Sequence, residues 1–137
     1  GWLCLCHNDF FYMNFLIDED EKYYLIDWEY AGMSDYANDF GTCVVCCELT
    51  EAEALRALGE YLGHAPEPEE VRHCLAHVQL AGWGWSLGSL LKEAEGDFVG
   101  EWLYIYFRYA DEYLDKTLAL YEGEKPLGYT HGADVTS

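Results

Sequence analysis

His7, Asp9 and Asn14 stand in the order His-x-Asp-x4-Asn, and Asp27 follows at the end of the apolar run Tyr23-Tyr24-Leu25-Ile26. A carboxylate that can orient a hydroxyl and accept its proton, followed by an amide and a second carboxylate that can share a divalent cation, is the equipment of phosphoryl transfer. Asp9 suits the base. Asn14 and Asp27 suit Mg2+, which prefers oxygen ligands, and a neutral amide beside a carboxylate holds the ion without stacking excess negative charge. His7, two residues before the base, reads as a packing and hydrogen-bonding support for the loop. Each residue alone would pass for turn or strand-end chemistry. Three specified residues at fixed spacing arise by chance in only about one sequence in a few hundred.

The surrounding pattern supplies elements that could position them. Trp2-Leu3-Cys4-Leu5-Cys6 is a short apolar run that suits a buried strand delivering His7 to a turn. Residues 15–18 and 23–28 flank the polar run Glu19-Asp20-Glu21-Lys22, a hairpin pattern that folds Asn14 and Asp27 back toward each other. Ala31 to Asn38 reads as a loop, with Asp39 placed to cap a helix through Cys47. Thr50-Glu51-Ala52-Glu53 is a capping box, opening a helix that runs to Gly63.

Pro66 and Pro68 precede a third helix from about Glu69 to Glu95, in phase at Val71, Leu75, Val78 and Trp85. Gly82 and Gly84 weaken it by ~1 kcal/mol each relative to Ala and mark a place where another backbone or a ligand comes close. Gly96-Asp97 breaks the run, and Phe98 to about Tyr121 forms a last helix whose face carries Trp102, Tyr106, Tyr109 and Tyr113. Residues 123–137 lack periodicity and are expected to form a mobile tail. The result is a mainly helical α+β domain over 1–122, with a catalytic and metal segment at 3–41 and a helical substrate-pocket segment at 42–122.

At 137 residues and 51% hydrophobic content, the chain is of single-domain size and able to bury a core. A formal charge of -19 repels nucleic-acid phosphate and anionic lipid and attracts divalent metal or a cationic substrate. No apolar run approaches the ~20 residues needed to span a bilayer, and Gly1-Trp2-Leu3 lacks the basic start of a signal peptide, so a cytoplasmic location is expected. The six cysteines are expected as buried free thiols, the alternative being a metal site using Cys4, Cys6 and Cys43-x2-Cys46.

Cys6-His7-Asn8-Asp9-x4-Asn14 and Leu25-Ile26-Asp27-Trp28-Glu29-Tyr30-Ala31-Gly32-Met33 resemble the choline/ethanolamine kinase family, especially its bacterial members linked to lipopolysaccharide or cell-wall decoration. That family shares the aminoglycoside-phosphotransferase branch of the protein-kinase-like fold. The resemblance implies a carboxy-terminal kinase lobe: a catalytic-loop hairpin followed by about four helices. It implies ATP as co-substrate, Asp9 as base, Asn14 and Asp27 as Mg2+ ligands, Asp39 as a support for the catalytic loop, and Leu16 and Ile26 on the floor of the nucleotide pocket.

Over 78–113 the likeness is looser, where Trp83-Gly84-Trp85-Ser86 and Tyr104-x3-Arg108 resemble helices that line a choline site. A quaternary ammonium cannot donate a hydrogen bond and is held by aromatic faces in a negative field. The resemblance implies Trp85 and Tyr104 as the first expected members of such a cation cage, Trp83 and Trp102 the next.

Nothing before Gly1 corresponds to the family's amino-terminal lobe, so the chain alone is expected to be inactive, with an apolar face open to self-association. Several relatives carry a carboxylate about seven residues beyond the position of Asp39, where this chain has Cys46 with Glu48 nearby. That leaves open an aminoglycoside, ethanolamine or a sugar as substrate. Outside enzymes, the alternatives are a non-catalytic cation-binding module and a cysteine-based zinc module.

Overall fold

The computed structural model describes residues 3–122; the expected tail at 123–137 lies outside them, as do Gly1 and Trp2. Four short strands and four helices follow one another as β1 (Leu3–Cys6), β2 (Phe15–Ile17), β3 (Tyr23–Leu25), β4 (Gly32–Asp35), α1 (Ala37–Cys46), α2 (Glu51–Leu62), α3 (Pro68–Glu95) and α4 (Gly100–Glu122), with a 3-10 turn at Tyr12–Asn14 before β2. The class is mainly helical α+β: a β-hairpin and a second two-stranded sheet followed by four helices.

β2 and β3 form the hairpin, antiparallel with Phe15 opposite Leu25 and Ile17 opposite Tyr23. Its turn is built by Asp18, whose Oδ1 accepts the N–H groups of Asp20 and Lys22, each at 2.9 Å. The Tyr24 hydroxyl closes on Asp18 Oδ2 at 2.9 Å. These bonds stabilise the charged form and hold the Asp18 carboxyl below the usual carboxylate range, led by the Lys22 N–H.

Two expectations fail at the amino-terminal end. Ala31 to Asn38 is not all loop: Gly32–Asp35 is a strand, antiparallel to β1 with Cys6 opposite Gly32 and Leu3 opposite Asp35. β1 is not a buried strand either. Leu3 and Leu5 are each 67% exposed and only Cys6 is buried, because β1 and β4 form a sheet of two strands, one face of which no described element covers.

The core lies among the helices. Phe40, Val44 and Val45 of α1 meet Ala54 and Leu58 of α2, Leu75 and Val78 of α3, and Tyr106, Tyr109 and Tyr113 of α4. α2 begins and ends where local chemistry dictates: Thr50 and Glu53 make a reciprocal capping box, and Gly63 stops the helix at φ 74°. The hydroxyls of Tyr61 and Tyr109 fasten α2 and α4 to the carbonyls of Tyr36 and Leu49, at 2.6 and 2.8 Å.

The glycine pair in α3 divides its duties. A Cβ on Gly82 would stand 2.7 Å from the Ala110 nitrogen and 2.8 Å from the Tyr106 carbonyl oxygen, so hydrogen alone lets α4 come this near. Gly84, by contrast, has nothing within 4 Å of its would-be Cβ and borders open space. α4 begins at Gly100, two residues later than expected, after Val99 N–H donates to Glu93 Oε1 at 2.7 Å.

Candidate active site

Three side chains hold the loop that carries Asp9. Asp39, expected to cap α1, sits inside its first turn; the Ala37 N–H is taken instead by Asp35 Oδ1 at 2.9 Å. The Asp39 carboxylate is thereby left for the loop: Oδ2 accepts His7 N–H at 2.8 Å and Oδ1 accepts Asn8 N–H at 2.7 Å. Asn8 has a left-handed φ of 64°, a conformation Asn tolerates, and its amide bridges the Tyr30 carbonyl and the Asn38 side chain.

His7 is buried, with its ring edge-on to Trp28 at 4.8 Å. Asp9 N–H donates to its Nδ1 at 3.3 Å, so Nε2 carries the proton and donates to the Ile26 carbonyl at 2.8 Å. In this tautomer His7 links the loop to the residue before Asp27. It is a strut between main-chain groups.

Asn14 is buried behind Asp9. Its Nδ2 donates to the Asp9 carbonyl at 2.9 Å and to Asp9 Oδ2 at 3.2 Å, which leaves its Oδ1 available to a cation. The Asn14 carbonyl accepts Ile26 N–H at 2.9 Å, so the open end of the hairpin is tied next to Asp27. Asp27 itself is exposed and, like Asn8, left-handed at φ 64°. An amide oxygen just before β2 and an exposed carboxylate just after β3 are donors of the kind Mg2+ takes. Leu16 and Ile26 are exposed on the hairpin, at 50% and 40%.

Asp9 opens into a cleft of about 1070 Å³ between this loop and helices α3 and α4. Phe11, Trp85, Trp102 and Tyr106 line it, with Gly84 and Gly88 leaving room along α3. The rings form a continuous wall: Phe11 stands edge-on to Trp102 at 5.6 Å, Trp102 stacks on Tyr106 at 6.0 Å, and Tyr106 meets Trp85 at 6.1 Å. Asp9, Glu29 and Glu95 face it against the single cation Lys92, so among these lining residues the charge is negative.

Burial, then the fields of Cys46 and Asp9, push the Tyr106 phenol well above its ordinary value. Burial first and the Asp9 field second push the Cys46 thiol up to about 12. Both groups stay protonated and neutral beside Asp9 at neutral pH.

Not every expected wall residue belongs to it. Trp83 is 42% exposed and packs edge-on to Phe107 at 6.0 Å, and Tyr104 is 68% exposed; neither lines the cleft. Two residues along a helix is a rotation of about 200°, so Trp83 cannot share the face of Trp85, nor Tyr104 that of Trp102 and Tyr106. Phe11 and Tyr106 were not singled out as wall residues beforehand, although Tyr106 falls on the same helical face as Trp102. The six cysteines are free, and among the described residues none joins a group of three or more metal-ligating side chains.

Comparison with known proteins bears on family and fold. Residues 2–74 match the model of the phosphotransferase enzyme family. Protein LicA of Haemophilus influenzae is 28% identical over 103 residues, covering 71% of this chain and 38% of that protein. A second LicA sequence from the same species aligns at the same identity over 30% of its length. The crystal structure of a choline/ethanolamine kinase family protein from Mesorhizobium loti superposes with a TM-score of 0.63 at 28% identity, covering 91% of this chain and 40% of that one. The chain thus spans less than half the length of each of these three relatives.

Proposed function

Because the chain belongs to the phosphotransferase enzyme family, we propose that it forms the acceptor-binding and catalytic part of an ATP- and Mg2+-dependent kinase for choline or a related small amino alcohol. One observation carries this reading. Asp9 emerges from a loop fixed by Asp39, His7 and Asn14 into an acidic cleft walled by Phe11, Trp102, Tyr106 and Trp85.

Asn14 Nδ2 engages Asp9 Oδ2, and among the described residues Oδ1 takes no hydrogen bond. That oxygen is the one to receive the substrate hydroxyl. As the hydroxyl oxygen forms its bond to the γ-phosphorus and the bond to the ADP oxygen breaks, Asp9 takes the proton. Asn14 Oδ1 and the Asp27 carboxylate are the groups to hold Mg2+, which when bound neutralises phosphate charge. Leu16 and Ile26, exposed on the hairpin, are available to the nucleotide base. Trp85 and Trp102 hold the ammonium group by their faces, each ring contributing ~0.5–2 kcal/mol.

The 137 residues by themselves are expected to show no turnover, since they span 38% of LicA and 40% of the solved kinase family member. Two measurements test the reading. Calorimetry on this chain should give a preference for choline over ethanolamine that weakens in Trp102→Ala. ATP-dependent phosphorylation of choline by the full gene product should be abolished in Asp9→Asn. A preference for an aminoglycoside or a sugar would assign the same loop to another acceptor. Choline binding with activity indifferent to Asp9→Asn would make the chain a binding module and sink the proposal.

A further inference from the structure

At the margin of the cleft that Asp9 enters, a strand and a helix bring three other ligating side chains together. Asp35 ends β4, and His73 and His77 lie four residues apart on one face of α3, with all three ligand atoms within 4.8 Å of one another. His73 Nε2 is 2.8 Å from Asp35 Oδ1, His77 Nε2 is 3.8 Å from the same oxygen, and the two rings are 4.7 Å apart.

The tautomer of His77 is informative. Its Nδ1 lies 3.1 Å from the His73 carbonyl oxygen, which can only accept, so in the neutral ring Nδ1 carries the proton and Nε2 presents a lone pair toward the Asp35 carboxylate. A lone pair facing a carboxylate is unfavourable until a proton or a metal cation comes between them. Metal-ligating histidines regularly have their second nitrogen fixed by a carbonyl in this way.

The spacing also fits. With metal–nitrogen and metal–oxygen bonds of ~2.0–2.2 Å, ligand atoms around a tetrahedral ion are about 3.4 Å apart, and 2.8 and 3.8 Å straddle that value. The side chains of Asp35, His73 and His77 keep 26%, 24% and 16% exposure, so solvent reaches a fourth position. The backbone behind them is firm: a Cβ on Gly41 of α1 would stand 2.6 Å from the His77 carbonyl carbon.

We propose that Asp35, His73 and His77 bind a divalent transition metal, Zn2+ foremost, with water as the fourth ligand. Two imidazoles and one carboxylate favour such an ion over Mg2+ or Ca2+. The site shares no residue with Asp9, Asn14 or Asp27, and although His77 also borders the cleft into which Asp9 opens, the metal reading does not depend on the phosphotransfer reading. Bound there, the ion would tie β4 to α3 just ahead of Asp39, which holds the Asp9 loop.

Titrating Zn2+ or Co2+ into the metal-free 137-residue chain tests this. Expected are one equivalent bound, a tetrahedral Co2+ spectrum without thiolate charge transfer, zinc-dependent shifts of the His73 and His77 ring nitrogens by NMR, and a rise in Tm with zinc. His77→Gln and His73→Asn should each weaken binding at least about 100-fold. The ring-nitrogen shifts need no variant, so a misfolded substitution leaves the test standing. No stoichiometric uptake at micromolar zinc, a thiolate Co2+ spectrum, or unchanged affinity in the double variant would overturn the site.

Discussion

The Asp39 carboxylate grips the main-chain N–H groups of both His7 and Asn8, at 2.8 and 2.7 Å, from the first turn of α1. One side chain therefore sets where the Asp9 loop leaves β1. Hydrogen bonds to a charged acceptor contribute about 1.5–3 kcal/mol each. Asp39→Ala should lower stability by about 3 kcal/mol and speed amide exchange at His7 and Asn8 ahead of the helical core, as hydrogen-exchange NMR would report. Equal protection of those amides in both proteins would refute the assignment.

At the α3–α4 crossing, the two helical glycines should respond in opposite ways. Gly82→Ala drives a methyl into the Ala110 and Tyr106 backbone and should cost at least about 2 kcal/mol. Gly84→Ala meets nothing within 4 Å and should raise helix stability by up to ~1 kcal/mol. Denaturant unfolding measures both, and a stable Gly82→Ala protein would show the helices to be further apart than described.

On α4, Trp102 and Tyr104 separate cleft wall from outer surface. Trp102→Ala removes the ring between Phe11 and Tyr106 and should weaken choline binding by ~0.5–2 kcal/mol, about 2- to 30-fold. Tyr104→Ala should leave calorimetric affinity unchanged, since that ring is 68% exposed and outside the cleft. The reverse outcome would move the cation site to the outer face of α4.

His64 and Glu70 meet at 3.0 Å where α2 passes to α3. The Glu70 contact raises the His64 pKa above its ordinary 6.5, so its contribution is whole below about pH 6.5 and is lost as pH climbs through the raised folded value. Glu70 is shifted down, by the Glu67 N–H first and His64 next, so its contribution is present above its ordinary 4.5 and is lost as pH falls through the lowered folded value. Thermal melts should show the unsubstituted chain losing more Tm than His64→Gln between pH 6 and 8. Parallel curves would mean that the contact does not persist in solution.

Thiol reactivity should follow burial. Burial first pushes Cys6 and Cys46 up to about 12 and Cys74 up to about 11, whereas Cys4 is exposed. Alkylation at neutral pH followed by peptide mass spectrometry should find Cys4 modified before those three.

What could be read in advance was local. Thr50, Glu53 and Gly63 bound α2 because a capping box and a left-handed stop need only neighbouring residues. β4 was invisible because Gly32-Met33-Ser34-Asp35 has no alternation, and its partner β1 is distant in sequence. Asp39 looked like a helix cap for the same reason: the N–H groups it serves belong to another part of the chain.

The spacing of Asp9 and Asn14 was legible, and their side chains do meet. The wall opposite was legible only by residue type. Helical phase taken from Trp102, Tyr106, Tyr109 and Tyr113 would already have set Tyr104 on the outer face.

Ile26 is clasped on both sides, its N–H by the Asn14 carbonyl and its own carbonyl by His7 Nε2. Both ties use only main-chain atoms of Ile26. Mutation can therefore vary the side chain at position 26 across the apolar residues while the alignment of the loop with Asp27 is inherited intact. Under the proposed reading, adaptation to a different bound molecule on that surface would begin here, at a position whose drift leaves Asp9, Asn14 and Asp27 undisturbed.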